Sequence, residues 1–206
     1  MDIFFLVLYI TVGILSRTVF HTLPNVEFVT GLSIAAGYFF HNKKLSFIVP
    51  LSIMAITDFI IGNNIIFLFT WSAFLIAPLF KYIVLGVQKN FKGYSEYFKL
   101  FISSEVAGIL FTLFFFLWTN FGVVITTDMY PKNIIGVAES YIMGLPFLAN
   151  QLLGNIIIVP FIFVSTAFIV FLYNNRKYIL KRVKPNLLMT FSRLFDKLIS
   201  IVIKHT

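Results

Sequence analysis

Residues 65–87 read IIFLFTWSAFLIAPLFKYIVLGV, a run in which only Lys81 carries a charge. About 20 mostly apolar residues are what a helix needs to cross the ~30 Å hydrocarbon core of a bilayer. Further apolar runs occupy 3–15, 28–40, 45–61, 97–118 and 141–173. The first has no basic residue before it and no small-residue cleavage site after it, so it reads as a retained helix and not a signal peptide. Composition agrees with the runs: 59% of residues are hydrophobic and only 12% are charged, where a soluble domain has about a quarter charged. So little polar surface excludes an ordinary cytosolic enzyme, a disordered chain and a disulfide-rich secreted domain. The absence of cysteine removes thiolate metal sites and cysteine nucleophiles. The expected fold is all-α and polytopic, with six transmembrane helices over residues 1–173 and a cytoplasmic tail over 174–206.

Prolines shape two of the runs. Pro78 interrupts the fourth span, and Pro146 and Pro160 divide 141–173 into a short outer segment and a sixth span over 152–172. The fifth span is expected to end near Trp118. Six spans put both termini on one side. Basic residues concentrate on the cytoplasmic side of membrane proteins, and with both ends inside, fourteen of the sixteen Lys and Arg fall there. Only Arg17 and Lys132 fall outside. The net charge of +8 is therefore read as a topology signal and not as a nucleic-acid surface. Eight of the basic residues follow residue 175. There, after Pro185, the apolar residues Leu187, Leu188, Phe191, Leu194, Phe195, Leu198, Ile201 and Val202 recur at helical spacing, with Arg193, Lys197 and Lys204 at other angles. That pattern predicts a basic amphipathic helix lying on anionic lipid or docking a cytoplasmic partner.

The remaining polar residues collect at the opposite, outer level. They are Arg17, His21 and Asn25 after the first span, Asp58 near the end of the third, Thr119 and Asn120 after the fifth, Tyr130 in the outer segment, and Asn150 and Asn155 near the sixth. Asp58 lies within SIMAITDFIIG, and a carboxylate deep in a bilayer costs about 2.5–3.5 kcal/mol on insertion scales. It needs a partner, and Arg17 is the only arginine before residue 176. A pocket lined by one Arg, one Asp, several Asn and many aromatics suits a small polar, heterocyclic ligand. Structural uses stand beside each functional one: an Arg17–Asp58 ion pair, a helix C-cap at Asn120, a turn at Tyr130-Pro131, interhelical hydrogen bonds at Asn150 and Asn155, and interfacial places for His21, Trp71 and Trp118. Glu105 reads as snorkelling to the cytoplasmic face. Gly31/Ala35 and Ser33/Gly37 have the small-residue spacing of packed membrane helices. No HExxH, GxSxG or Walker A sequence is present, and the expectation is a protein that is not an enzyme and needs no metal or cofactor.

The segments SRTVFHTLPNVEFVTGLSIAAGYFF, VPLSIMAITDFIIG, FFFLWTNFGVVITTDMYP and GLPFLANQLLGN resemble an uncharacterised bacterial family of six-helix membrane proteins. That family in turn resembles the substrate-binding (S) components of energy-coupling-factor transporters. The resemblance covers residues 13–172. It implies residence in the bacterial cytoplasmic membrane, capture of a vitamin-like solute, and a membrane coupling subunit with ATPases as partners. It also implies that Arg17, Asn25, Asp58, Thr119, Asn120, Tyr130, Pro131, Pro146 and Asn150 occupy family positions. Asn155 stands where the family pattern has an acidic residue, and the first span lacks the Ala-xxx-Ala spacing by which S components contact their coupling subunit. The competing expectation is a non-transporting scaffold whose polar cluster is structural.

Overall fold

A computed structural model describes residues 1–19, 28–62 and 65–175. The chain divides into two compact units, Met1–Ser165 and Thr166–Thr206. In the second, the described part is the end of the last helix and Asn175; the amphipathic helix expected over 187–202 lies outside the described residues, as do His21 and Asn25.

The described residues form α1 (Asp2–Thr18), α2 (Val29–Phe39), α3 (Lys43–Ile61), α4 (Phe67–Ile76), a 3-10 turn (Ala77–Phe80), α5 (Lys81–Gln88), α6 (Glu96–Thr126) and α7 (Ile134–Asn174). Local chemistry sets several boundaries. The Asn42 side chain accepts the Lys44 amide at the start of α3, and Ser95 accepts that of Phe98 at the start of α6. Gly62, at φ 91°, closes α3 in a conformation that side chains other than glycine rarely adopt. Pro78 lies in the 3-10 turn, so α4 and α5 form one interrupted pass.

Contacts between helix ends show the chain reversing between α1, α2, α3 and the α4–α5 pair. Asp2 accepts the Asn42 amide at 2.9 Å and Tyr38 donates to Gln88 at 3.2 Å, which gathers these residues at one end of the first unit. Arg17, Asp58 and Trp71 meet at the other. The first end carries Lys43, Lys44, Lys89, Lys92 and Lys99.

The helix α2 is the core. Every residue from Val29 to Gly37 is buried, and it packs on α1, α3, α6 and the α4–α5 pass. Its small residues permit this: a Cβ on Gly37 would lie 2.0 Å from the Pro78 carbonyl oxygen, and one on Gly31 would lie 2.6 Å from Ile162. Outward, the distribution is inverted relative to a water-soluble protein. Phe59 is 92% exposed and Ile134 86%, while Ser33, Thr57, Ser103 and Thr112 are wholly buried. Four helical stretches, Lys43–Ile61, Phe67–Gln88, Glu96–Thr126 and Ile134–Asn174, are long and apolar enough to cross a membrane. The 17 residues of α1 and the 11 of α2 are shorter than that.

Two boundaries differ from expectation. The helix α6 does not stop at Trp118 but runs through Thr119-Asn120-Phe121-Gly122 to Thr126. Gly122 serves packing and not a cap: a Cβ there would meet the Phe69 ring at 2.4 Å. Nor do Pro146 and Pro160 divide the last stretch, which is one helix of 41 residues. A proline removes one N–H donor from a helix, and neighbouring helices let a membrane segment continue past it.

Candidate functional site

Asp58 stands in the last turn of α3, one turn beyond Met54, so the two side chains share a face. Opposite them, Arg17 closes α1. One Arg17 nitrogen reaches Asp58 Oδ1 at 3.1 Å and the other rests against Met54 Sδ. The second carboxylate oxygen accepts the Trp71 indole N–H from α4 at 2.7 Å. One carboxylate thus ties three helices. The pair is largely withdrawn from the surface, with side-chain exposures of 19% for Arg17 and 9% for Asp58. Removing one partner of such a pair leaves an uncompensated charge, at a cost of about 3–5 kcal/mol.

The pair forms a wall of an open cleft of about 540 Å³, with Ile61, Gly62, Phe67 and Thr70 around it. A second cleft of about 290 Å³ adjoins it and shares Ile66 and Thr70. This one is lined by Thr119, Asn120, Tyr130 and Ser140 among Phe115, Met143 and Phe147. Asn120 donates to the Phe116 carbonyl at 2.9 Å, and Ser140 of α7 donates to the Asn120 carbonyl at 3.1 Å. Thr119 likewise returns its hydroxyl to Phe115 at 2.8 Å. The Tyr130 hydroxyl makes no hydrogen bond among the described residues. Within these residues, no three His, Cys, Asp or Glu side chains stand close enough to hold a metal ion.

The model of a family of unknown function, DUF6580, matches residues 1–179. The chain belongs to this family. No curated protein and no solved structure matches it. The DUF6580 match takes in both clefts and ends before Pro185, so the amphipathic pattern over 187–202 lies beyond it.

Of the residues singled out from sequence, Arg17 and Asp58 border the first cleft, and Thr119, Asn120 and Tyr130 the second. The C-cap use of Asn120 is corrected, because the helix continues past it for six residues. Asn150 borders neither cleft. Asn155 is buried away from both and donates to Thr112 Oγ1 at 2.8 Å, the interhelical use that its position left open. Sequence reasoning missed Trp71 as part of the polar cluster. The signal was available: a buried indole N–H needs an acceptor, and Asp58 is the one acidic residue of α3. Met54 and Ser140 carried no comparable signal.

Proposed function

We propose that this protein is a six-pass protein of the bacterial cytoplasmic membrane, with both termini inside, that binds a small polar heterocyclic solute in its paired outer clefts. One observation carries the reading: a largely buried Arg–Asp pair opens onto a cleft that adjoins, across Ile66 and Thr70, a pocket with hydroxyl, amide and aromatic walls. Charged groups orient a polar ligand, and Tyr130, Phe115 and Phe147 supply faces for a flat ring. Uptake would need a separate energising partner, since the chain carries no nucleotide-binding motif. The basic tail would rest on anionic lipid.

The engagement of both Asp58 oxygens favours a second reading, in which the cluster only braces α1, α3 and α4 in a scaffold. Native mass spectrometry of the purified protein separates the two. Solute binding predicts a retained small molecule that Thr70→Phe, which fills the shared wall, displaces without unfolding the bundle. A protein that carries nothing, with Asp58→Asn affecting stability alone, supports the scaffold. Because the chain has no cysteine, single cysteines at Lys132 and Lys92 test the orientation by labelling from either side of a sealed vesicle.

A further inference from the structure

Among the described residues three buried side-chain oxygens have no hydrogen-bond partner: Thr30 Oγ1, Ser33 Oγ and Glu105 Oε2. They stand on α2 and α6, which pack together. Gly31 and Gly108 both face Val159 of α7, which registers the two helices at one depth. From those glycines toward the lysine-rich end, Ser33 is two residues along and Glu105 three, or about 3 and 4.5 Å at the helical rise. By depth along the bundle, Ser33 and the Glu105 carboxyl therefore stand in one layer. Glu105 is about 15 Å along α6 from Ser95 by the same rise, inside the apolar run FISSEVAGILFTLFFF.

Among the described residues no cation pairs with Glu105, and the one arginine, on α1, is bonded to Asp58 of α3 at the other end. On α5, Lys81 lies 4.9 Å over the Tyr82 ring. On α2, Tyr38 donates to Gln88, and Lys43, just beyond, is bonded to the Gly37 and Phe40 carbonyls. Lys99, on α6 itself, pairs with Glu96. The α4 and 3-10 segments contain no titratable residue. On α7, Glu139 and Tyr141 stand near Ser140 at the other end, with Tyr141 donating to the Leu117 carbonyl. Glu105 forms no ion pair among the described residues. An ionised carboxylate without a cation is expensive at this depth, whereas the neutral acid asks only for a hydrogen bond.

We propose that Glu105 is a proton-binding site within the membrane, a carboxyl held neutral on α6 by its burial in an apolar run without a cation beside it. The proposal rests on the membrane reading and is independent of solute binding. It makes the proton the ligand of this layer.

Dicyclohexylcarbodiimide tests it. This apolar reagent adds a protonated carboxyl across its C=N bond, and the acyl group then shifts to nitrogen, leaving a stable N-acylurea with no group expelled. The full chain in lipid bilayers should take one adduct, mapped to Glu105 by peptide mass spectrometry, with a yield that falls as pH rises. Glu105→Gln should lose the adduct. A water-soluble carbodiimide with an added amine should leave Glu105 unmodified while labelling Glu96. If the aqueous reagent labels Glu105 as readily as Glu96, or the apolar one fails to label it in folded protein, the proposal is overturned. The wild-type map and its pH profile decide the matter even if a variant fails to fold.

Discussion

Gly37→Ala is the most direct test of the core. The added Cβ would lie 2.0 Å from the Pro78 carbonyl oxygen, 2.7 Å from its carbonyl carbon and 2.8 Å from its Cα. Carbon and oxygen that are not bonded to each other do not approach closer than about 3 Å, so one backbone must retreat by roughly 1 Å. Neither has room: α2 is buried from Val29 to Gly37, and Ala77 and Pro78 opposite are buried too. Overpacking a core costs about 1–3 kcal/mol, and a clash with backbone, which has no rotamer to change, belongs at the upper end. About 3 kcal/mol changes the folded-to-unfolded ratio roughly 100-fold. Gly86→Ala is the matched control, because a Cβ there meets nothing within 4 Å. Replacing that glycine within α5 should stabilise by about 0.5–1 kcal/mol. Denaturant unfolding in detergent, followed by the emission of Trp71 and Trp118, compares the two. Equal midpoints for both variants would refute the packing of α2 against the 3-10 turn.

Asp58→Leu should destabilise by about 3–5 kcal/mol, since it strands the Arg17 guanidinium, and Arg17→Met/Asp58→Leu should recover much of the loss; a double-mutant cycle in the same assay measures the coupling. Trp71→Phe removes the donor to Asp58 Oδ2, with an expected cost of about 1–3 kcal/mol, and thermal unfolding should show it. Asn155→Leu abolishes the bond to Thr112 and should cost only about 0.6–1.7 kcal/mol, the range for hydrogen bonds between membrane helices; a loss of any bound solute with it would contradict the placement of Asn155 away from the clefts. Gly62→Ala puts a side chain at φ 91° and should destabilise by about 1 kcal/mol or more by backbone strain, read from the same unfolding curves.

The all-helical, apolar character of the chain was legible because apolar run length is a one-dimensional signal. The break at Pro78 was legible too. Pro146 and Pro160 were not, because the same residue ends a helix in water and is tolerated within one that neighbours support, and neighbours are not written in the local sequence. The Asn-Phe-Gly of residues 120–122 read as a C-cap for a similar reason: glycine marks both a left-handed turn and a close approach, and only the Phe69 ring distinguishes them here. The Arg17–Asp58 pairing was inferable because Arg17 is the only arginine before residue 176 and both residues fall near the ends of their apolar runs. The involvement of Trp71 and the withdrawal of Asn155 to Thr112 depend on how α4 and α7 are rotated, which the apolar, nearly featureless faces of those helices do not encode.

The unequal lengths of α1 and α6 bear on the lipid itself. The 17 residues of α1 extend about 25 Å and the 31 of α6 about 46 Å, and α1 shows Ile3, Phe4 and Val7 outward. On the proposed membrane reading, acyl chains bordering α1 shorten to match it, while α6 exceeds the ~30 Å hydrocarbon core and tilts or extends beyond it. The two flanks then make opposite demands on one bilayer, and the thin flank carries Arg17. Thinner membranes should relieve the thin flank, making acyl-chain length a variable to control whenever the occupancy of the clefts is measured.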